Sequence, residues 1–134
     1  MPKAVHVAVG IIKRDNQVYL TKRADDVHQG GKWEFPGGKV EEHETLPQAL
    51  VRELKEEVGI EVNLASVANN TFDTVVHDYP DKRVCLDFVL VNDFAGEPQG
   101  CEGQVGRWFD MAELTGIDFP EANKVIVEKL LVRF

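Results

Sequence analysis

The sequence has few cysteines and no long apolar run. Only two of its 134 residues are cysteines, Cys85 and Cys101, and they show no C-x-x-C spacing. This pattern excludes a disulfide framework and indicates free thiols in a reducing compartment. No apolar segment approaches the length of a signal-peptide core or a membrane span. We therefore expect a cytoplasmic protein that does not interact with a membrane.

Basic residues are also scarce. The chain has 15 Lys and Arg against 23 Asp and Glu, which gives a formal net charge of −8. Such a balance disfavours the broad electrostatic contact with a phosphate backbone on which nucleic-acid binding depends, so we expect no long DNA or RNA partner. An anionic small molecule would need a cation between itself and the protein, and a divalent metal held by carboxylates is the simplest one.

The length and the 43% hydrophobic content indicate a single domain over residues 1–134 with one ordinary core. Two β-branched runs, at 5–12 and 18–21, flank a polar turn and predict a hairpin. Further strands are predicted at 61–76, 83–91 and 108–109, a short helix from Asp110, and a last helix from Pro120. This order predicts an α/β fold, with a mixed sheet between helices on both faces.

A helix over 46–58 is predicted by its two ends. Thr45 and Gln48 have the spacing of a capping box, and Gly59 suits the position just after a helix. On a helical wheel, Leu50 and Leu54 fall on one side with other apolar residues. One face of this helix is therefore expected to pack against the core.

Another face of the same helix carries Glu53, Glu56 and Glu57, at positions i, i+3 and i+4. These acids repel one another, and they lie at the negative end of the helix dipole, where each is disfavoured by about 0.3–1 kcal/mol. A hard cation such as Mg²⁺ or Mn²⁺ would remove both penalties. Taken alone, this spacing is more typical of a solvated acidic surface.

The flanking residues favour the metal site. Gly38 is followed after five residues by Glu44, and seven residues later come Arg52-Glu53-Leu54, then Glu56-Glu57 and Gly59-Ile60. This pattern resembles the Nudix box at every defining position. The resemblance implies a Nudix-type α/β/α sandwich and a metal-dependent hydrolase that cleaves a phosphoanhydride bond in a nucleoside polyphosphate.

The resemblance also implies roles for individual residues. Gly37 and Gly38 would form a sharp turn toward the metal, Arg52 would orient a glutamate, and Glu53 would act as the general base. Glu56 and Glu57 would complete the catalytic group. The metal ligands implied are Gly37, Glu53, Glu56, Glu57 and, from a loop outside the box, Glu102.

Outside the box the chain resembles the MutT branch of bacterial mutator proteins, through the segments 9–12, 33–39, 96–98 and 118–123. That branch hydrolyses 8-oxo-dGTP to the monophosphate and pyrophosphate. The nucleotide-binding positions implied by this resemblance are Arg23, His28, Glu34, Phe35, Pro36, Gly37 and Asn123. Lys39 is expected to contact phosphate, and we expect the protein to act as a monomer.

Asn123 can be assessed by its chemistry. Guanine presents hydrogen-bond acceptors at N7 and O6, whereas 8-oxoguanine carries a proton on N7. An Asn amide matches the oxidised edge, because its oxygen accepts from N7–H while its NH₂ group donates to O6. With dGTP the same amide oxygen would face a lone pair, at a cost of about 1–3 kcal/mol in a dry pocket.

Three alternatives remain open at this point. A Nudix pyrophosphohydrolase acting on CTP or modified nucleoside triphosphates would share the box but leave Asn123 without an N7 edge to bind. A catalytically inactive Nudix sensor domain would usually lack box glutamates, which are complete here. A structural acidic protein would leave the placement of the glutamates unexplained.

Overall fold

The computed structural model describes residues 3–23, 31–100 and 105–134. Within these ranges the strands are β1 (Lys3–Arg14), β2 (Gln17–Lys22), β3 (Trp33–Glu34), β4 (Gly37–Lys39), β5 (Glu61–Val62), β6 (Thr71–Asp78), β7 (Lys82–Val91), β8 (Phe94–Ala95) and β9 (Gly106–Asp110). The helices are α1 (Leu46–Val58), α2 (Leu64–Val67) and α3 (Glu121–Arg133), with a 3-10 helix at Met111–Gly116. In the described part of the chain no helix combines the length and the apolar character needed to cross a bilayer.

The main sheet is mixed, as predicted. Its strand order is β3-β2-β1-β7-β6, with β4 also paired to β1 and β9 also paired to β2. Strands β1 and β7 run parallel over ten residue pairs, from Lys3↔Lys82 to Ile12↔Val91, whereas the other pairings are antiparallel. The predicted hairpin is confirmed, and its turn places Asp15 at a φ of 54°.

Each face of the sheet has its own hydrophobic core. Alternate residues of a strand point to opposite faces, so Val9 and Ile11 of β1 pack with α3, while Ala8 and Ile12 pack with α1. The α/β/α layering predicted for this chain is therefore confirmed.

Helix α1 begins and ends where the sequence predicts. The Thr45 hydroxyl accepts from the Gln48 amide at 3.3 Å, and the Gln48 side chain accepts from the Thr45 amide at 2.9 Å. At the other end Gly59 has a φ of 74° and donates to the Lys55 carbonyl. Leu50 and Leu54 are fully buried, as the helical wheel indicated.

The predicted strand over 61–76 is wrong in its middle. A short helix, α2, separates β5 from β6. The Asn63 side chain accepts from the Ala65 amide at 3.1 Å, and this cap starts the helical turn. Strand β5 instead pairs with β8 in a small second sheet.

The predicted sharp turn at Gly37 and Gly38 is also wrong. Both residues lie in β4, which pairs with β1 through Val9↔Gly37 and Ala8↔Gly38, and neither has a positive φ. A Cβ atom on Gly37 would lie 2.1 Å from the Ala8 carbonyl oxygen. Glycine is needed here because the two backbones approach closely, and not because the chain turns.

Candidate active site

Glu53 of helix α1 lies directly against Gly38 of strand β4. A Cβ atom added to Gly38 would lie 2.3 Å from Glu53 Cδ and 2.4 Å from Glu53 Oε2. The carboxylate therefore occupies the volume that any side chain at position 38 would need. The missing side chain makes a cradle for this acid between helix and sheet.

Arg52 holds the elements around that cradle together. Its guanidinium donates to Glu53 Oε1 at 2.7 Å, to the Lys39 carbonyl at 3.1 Å and, at the edge of hydrogen-bond range, to Glu56 Oε2 at 3.4 Å. The expected orienting contact between Arg52 and box glutamates is thus present in the geometry. These hydrogen bonds join α1 to the end of β4.

The strongest partner of Arg52 is Glu44. The guanidinium donates to both carboxylate oxygens of Glu44, at 2.6 and 2.8 Å, in a fork-like geometry. Those hydrogen bonds, with another from the Glu41 amide, lower the pKa of Glu44 to about 2. The same pairing raises the pKa of Arg52, so its positive charge is permanent.

The remaining two box glutamates differ in their surroundings. Glu57 Oε2 accepts from the Gly37 amide at 3.1 Å, which ties the helix to the start of β4. Glu56 is the more exposed, with 58% of its side chain accessible. One carboxylate is therefore held by the backbone, while the other faces the solvent.

These acids form part of the wall of a cavity of about 850 Å³. The volume is within the range of small-molecule sites. The rest of the wall comes from the parallel strands, Arg23 just after β2, residues of the segment 34–39, the tip of the β6–β7 hairpin and the start of α3. The other lining residues are Val5, Val7, Val9, Arg23, Glu34, Phe35, Gly37, Lys39, Tyr79, Pro80, Asp81, Lys82, Val84, Leu86 and Asn123.

Asn123 is one of the few buried polar residues in the described chain, with 6% of its surface accessible. Its Oδ1 atom accepts a long hydrogen bond from the Phe35 amide at 3.4 Å, which favours this orientation of the amide group. The Phe35 ring stacks on Phe119 with its centroid 6.1 Å away, and belongs to the core. Phe35 thus contributes to the cavity while anchoring the segment that contacts Asn123.

Arg23 and Glu34 form an ion pair at the cavity wall. Arg23 Nη1 donates to Glu34 Oε1 at 2.9 Å, and about a quarter of each side chain is accessible. Burial raises the pKa of Glu34 even though Arg23 acts in the opposite direction. Two residues expected to bind nucleotide are thereby brought together.

The structure places the other predicted site residues as follows. Lys39 lines the cavity and is exposed, whereas Pro36 is buried and its carbonyl accepts from the Gly10 amide at 2.8 Å. Pro36 is not one of the described residues that line the cavity. His28 and Glu102 lie outside the described residues, and their roles stay predictions.

Two features of the site were missed at the level of sequence. Glu44 was recognised only as a spacing element, although it is the main partner of Arg52. The hairpin tip at 79–82 was assigned no role, yet it lines the cavity. The role of Glu44 could have been predicted by asking which carboxylate pairs with Arg52. The role of the hairpin tip could not, because it depends on the pairing of β6 with β7.

The donor atoms at the acidic end suit a hard divalent ion. Glu53, Glu56, Glu57 and the backbone of β4 offer oxygen ligands only, which is the chemistry preferred by Mg²⁺ and Mn²⁺. The cradle at Gly38 shows that the fold reserves space for one of these carboxylates. The residues present therefore fit a metal of this class.

Comparison with known proteins gives one consistent family. The chain is 45% identical over 129 residues to the 8-oxo-dGTP diphosphatase of Escherichia coli, covering 96% of this chain and 97% of the relative. It is 35% identical over 133 residues to the CTP pyrophosphohydrolase of Escherichia coli, covering 96% and 93%.

A solved structure leads to the same family. The fold matches a MutT structure, from work on the Aliivibrio salmonicida and Vibrio cholerae proteins, with a TM-score of 0.79 and 39% identity, covering 98% of this chain and all of that one. The NUDIX domain model matches residues 7–129. With the box glutamates gathered at one end of the cavity and this match over nearly its whole length, the chain belongs to the Nudix family of hydrolases.

Proposed function

We propose that this protein hydrolyses 8-oxo-dGTP to 8-oxo-dGMP and pyrophosphate, and so keeps the oxidised base out of newly made DNA. One observation carries the proposal. The segment Phe35-Pro36-Gly37 binds Asn123 through its first amide and Glu57 through its last. Its terminal Cα atoms can be no more than about 7 Å apart. The amide proposed to read the base and the carboxylate proposed to bind the metal are thus tied to the two ends of one three-residue segment, close enough for a single nucleotide to contact both.

Asn123 is arranged to read the oxidised base. The Phe35 amide donates to one lone pair of Oδ1 at 3.4 Å and so orients the amide group, and a carbonyl oxygen has a second lone pair for N7–H of 8-oxoguanine. The NH₂ group of the same side chain then donates to O6. Because Asn123 is buried, mismatched pairing with dGTP is not repaired by water, and the discrimination expected from this contact is about 5- to 150-fold.

Nudix hydrolases generally use a divalent metal ion. We infer that Glu53, Glu56, Glu57 and the carbonyl of Gly37 hold Mg²⁺, or Mn²⁺ in its place, with Glu102 as a further ligand. When bound, the ion neutralises phosphate charge and polarises the scissile phosphoanhydride. This accounts for an anionic substrate on a protein of net charge −8.

The chain's own residues supply positioning and proton transfer. Glu53 takes a proton from the attacking water, and Arg52 keeps its carboxylate in place through the 2.7 Å hydrogen bond. Lys39, at the exposed rim, is suited to contact the polyphosphate. All these residues come from one chain, so a monomer is sufficient for the reaction.

The test is a comparison of kcat/KM for 8-oxo-dGTP, dGTP and CTP in the presence of Mg²⁺. Wild type should prefer 8-oxo-dGTP, and Asn123→Ala should lose most of that preference. Asn123→Asp should lose it too, because a carboxylate cannot donate to O6. Lys124→Ala, at an exposed neighbouring position on α3, is the matched control and should behave as wild type.

A second candidate is hydrolysis of CTP, supported by the 35% identity to a CTP pyrophosphohydrolase. A pyrimidine has no N7 edge, so this activity predicts no special role for Asn123. A higher kcat/KM for CTP, together with an unchanged Asn123→Ala variant, would replace the first proposal by this one. The 45% identity to an 8-oxo-dGTP diphosphatase favours the oxidised purine.

A further inference from the structure

His6, Cys85 and Asp87 form a second cluster of metal-binding side chains, separate from the glutamates. In the parallel β1–β7 pair His6 is the register partner of Cys85, and Asp87 follows two residues later on the same face. Their neighbours Val5 and Val7 point to the opposite face and line the cavity. The cluster therefore lies on the far side of the sheet from the cavity wall formed by those valines.

The three side chains point at one another. Their potential ligand atoms, an imidazole nitrogen, a thiol sulfur and a carboxylate oxygen, all lie within 4.8 Å of each other. His6 Nε2 is 2.5 Å from Asp87 Oδ2. Among the described residues, these are the three His, Cys, Asp or Glu side chains whose ligand atoms lie this close together.

Thr74 of the adjacent strand supports the carboxylate. Its hydroxyl donates to Asp87 Oδ1 at 2.5 Å, and the two residues are register partners in the β6–β7 pair. One oxygen of Asp87 is thereby fixed, and the other is directed at His6. Metal sites commonly show this arrangement, in which an outer residue orients a ligand.

We propose that His6, Cys85 and Asp87 bind Zn²⁺, with the fourth coordination position open to water. Thiolate, imidazole and carboxylate are all ligands of zinc, and a thiolate discriminates against Mg²⁺. With bonds of roughly 2.0–2.1 Å, the nitrogen and oxygen ligands of tetrahedral zinc stand about 3.3 Å apart. The ligand atoms of His6 and Asp87 therefore need to separate by under about 1 Å from the present 2.5 Å contact, and the Cys85 sulfur lies within 4.8 Å of both.

Access to the site is open on one side. About 43% of the His6 side chain and 15% of the Asp87 side chain are accessible to solvent, so an ion can enter without unfolding the sheet. Binding requires the imidazole of His6 to present an unprotonated Nε2 to the metal, with its proton on Nδ1, and the thiol proton of Cys85 leaves to the solvent. The bound ion would join β1 to β7 and, through Thr74, to β6.

The test uses Co²⁺ as a spectroscopic substitute for Zn²⁺. Co²⁺ is titrated into the reduced full chain with excess Mg²⁺ to occupy the glutamates, and the absorption of a cobalt–thiolate bond is followed. Only a site with sulfur gives that band. Wild type and Cys101→Ser should each bind one equivalent with this absorption, and one equivalent of Zn²⁺ should abolish it.

Three substitutions examine the ligands separately. Cys85→Ser should lose the band, and His6→Gln should weaken Co²⁺ binding by at least tenfold. Thr74→Val should weaken it by about tenfold, because the carboxylate loses its orienting partner. Circular dichroism and nucleotide hydrolysis check that each variant is folded, since none of these residues belongs to the catalytic group.

A band that is absent in wild type, that persists in Cys85→Ser, or that disappears in Cys101→Ser would overturn the proposal. So would Co²⁺ binding that is unchanged by His6→Gln. Because the readout is metal absorption, the result does not depend on which nucleotide the enzyme hydrolyses.

Discussion

The carboxylate of Glu53 occupies the place of a side chain at Gly38: a Cβ atom there would lie 2.3 Å from Glu53 Cδ. Gly38→Ala should therefore displace Glu53 and leave most of the fold intact. Since a shift of about 1 Å in a catalytic group lowers rates by about 10²-fold, we expect a kcat loss of this size in steady-state assays.

The matched control is Gly116→Ala. A Cβ atom at that position meets nothing within 4 Å, and its backbone conformation is not left-handed. This variant should keep wild-type kcat. Equal losses in the two variants would show that the close approach at Gly38 has no special importance.

Arg52→Lys should lower kcat more than it changes KM. Lysine keeps the charge but cannot make the two-oxygen contact with Glu44 while also donating to Glu53. A loss of about 10²-fold in kcat is expected from the misplaced carboxylate. Arg133→Lys, at an exposed position in the last turn of α3, should have no effect, and a purely KM-based defect in Arg52→Lys would argue for a substrate contact instead.

The Arg52–Glu44 pair also predicts an acid dependence of stability. The pKa of Glu44 is lowered from 4.5 to about 2, so its carboxylate favours the folded state above about pH 4.5. That contribution is lost as the pH falls from 4.5 toward 2 and the group is protonated. Wild type should therefore have the higher Tm than Glu44→Gln near neutral pH, and this difference should shrink across that window.

Thermal unfolding from pH 7 to pH 2 measures this directly. Glu42→Gln, which changes an exposed carboxylate in the same loop, should give a curve parallel to wild type. A difference between wild type and Glu44→Gln that stays constant down to pH 2 would rule out the assigned contribution of Glu44.

The Arg23–Glu34 pair predicts non-additive effects on stability. Arg23→Ala leaves a largely buried carboxylate without this partner, and we expect a loss of about 1–3 kcal/mol in the free energy of unfolding. Adding Glu34→Gln to that variant removes the charge and should restore part of the loss. Urea denaturation of the two single variants and the double variant gives the coupling, and strict additivity would contradict the interaction.

The sequence predicts both ends of helix α1 closely because its signals are local. The Thr45 and Gln48 capping box and Gly59 act within a few residues of one another. The prediction of a single strand over 61–76 was wrong for a related reason. Its apolar residues fit a strand, but the Asn63 side chain competes locally and caps a helical turn.

The candidate site is predictable only in part. The glutamates and Arg52 follow from one motif, and the structure brings them around the same cradle. The two glycines of that motif were predicted to form a turn, but they are needed because Ala8 and Glu53 leave no room for a side chain. Neither Ala8 nor Glu53 is close to these glycines in sequence, so the sequence alone does not reveal the contact. The hairpin tip at 79–82 reaches the cavity through the β6–β7 pairing, which spacing along the chain does not reveal.

The division of the hydrophobic interior into two separate cores has a consequence for how such an enzyme evolves. The glutamates are carried by the helix of one core and Asn123 by the helix of the other. Substitutions in the core of α3 can reshape the layer proposed to bind the base without changing the layer that carries the glutamates, provided that the segment 35–37, which contacts both Asn123 and Glu57, is kept. If the proposed roles hold, a lineage can change its preferred nucleotide through a few replacements in α3 and its core, while the helix that carries the glutamates is inherited unchanged.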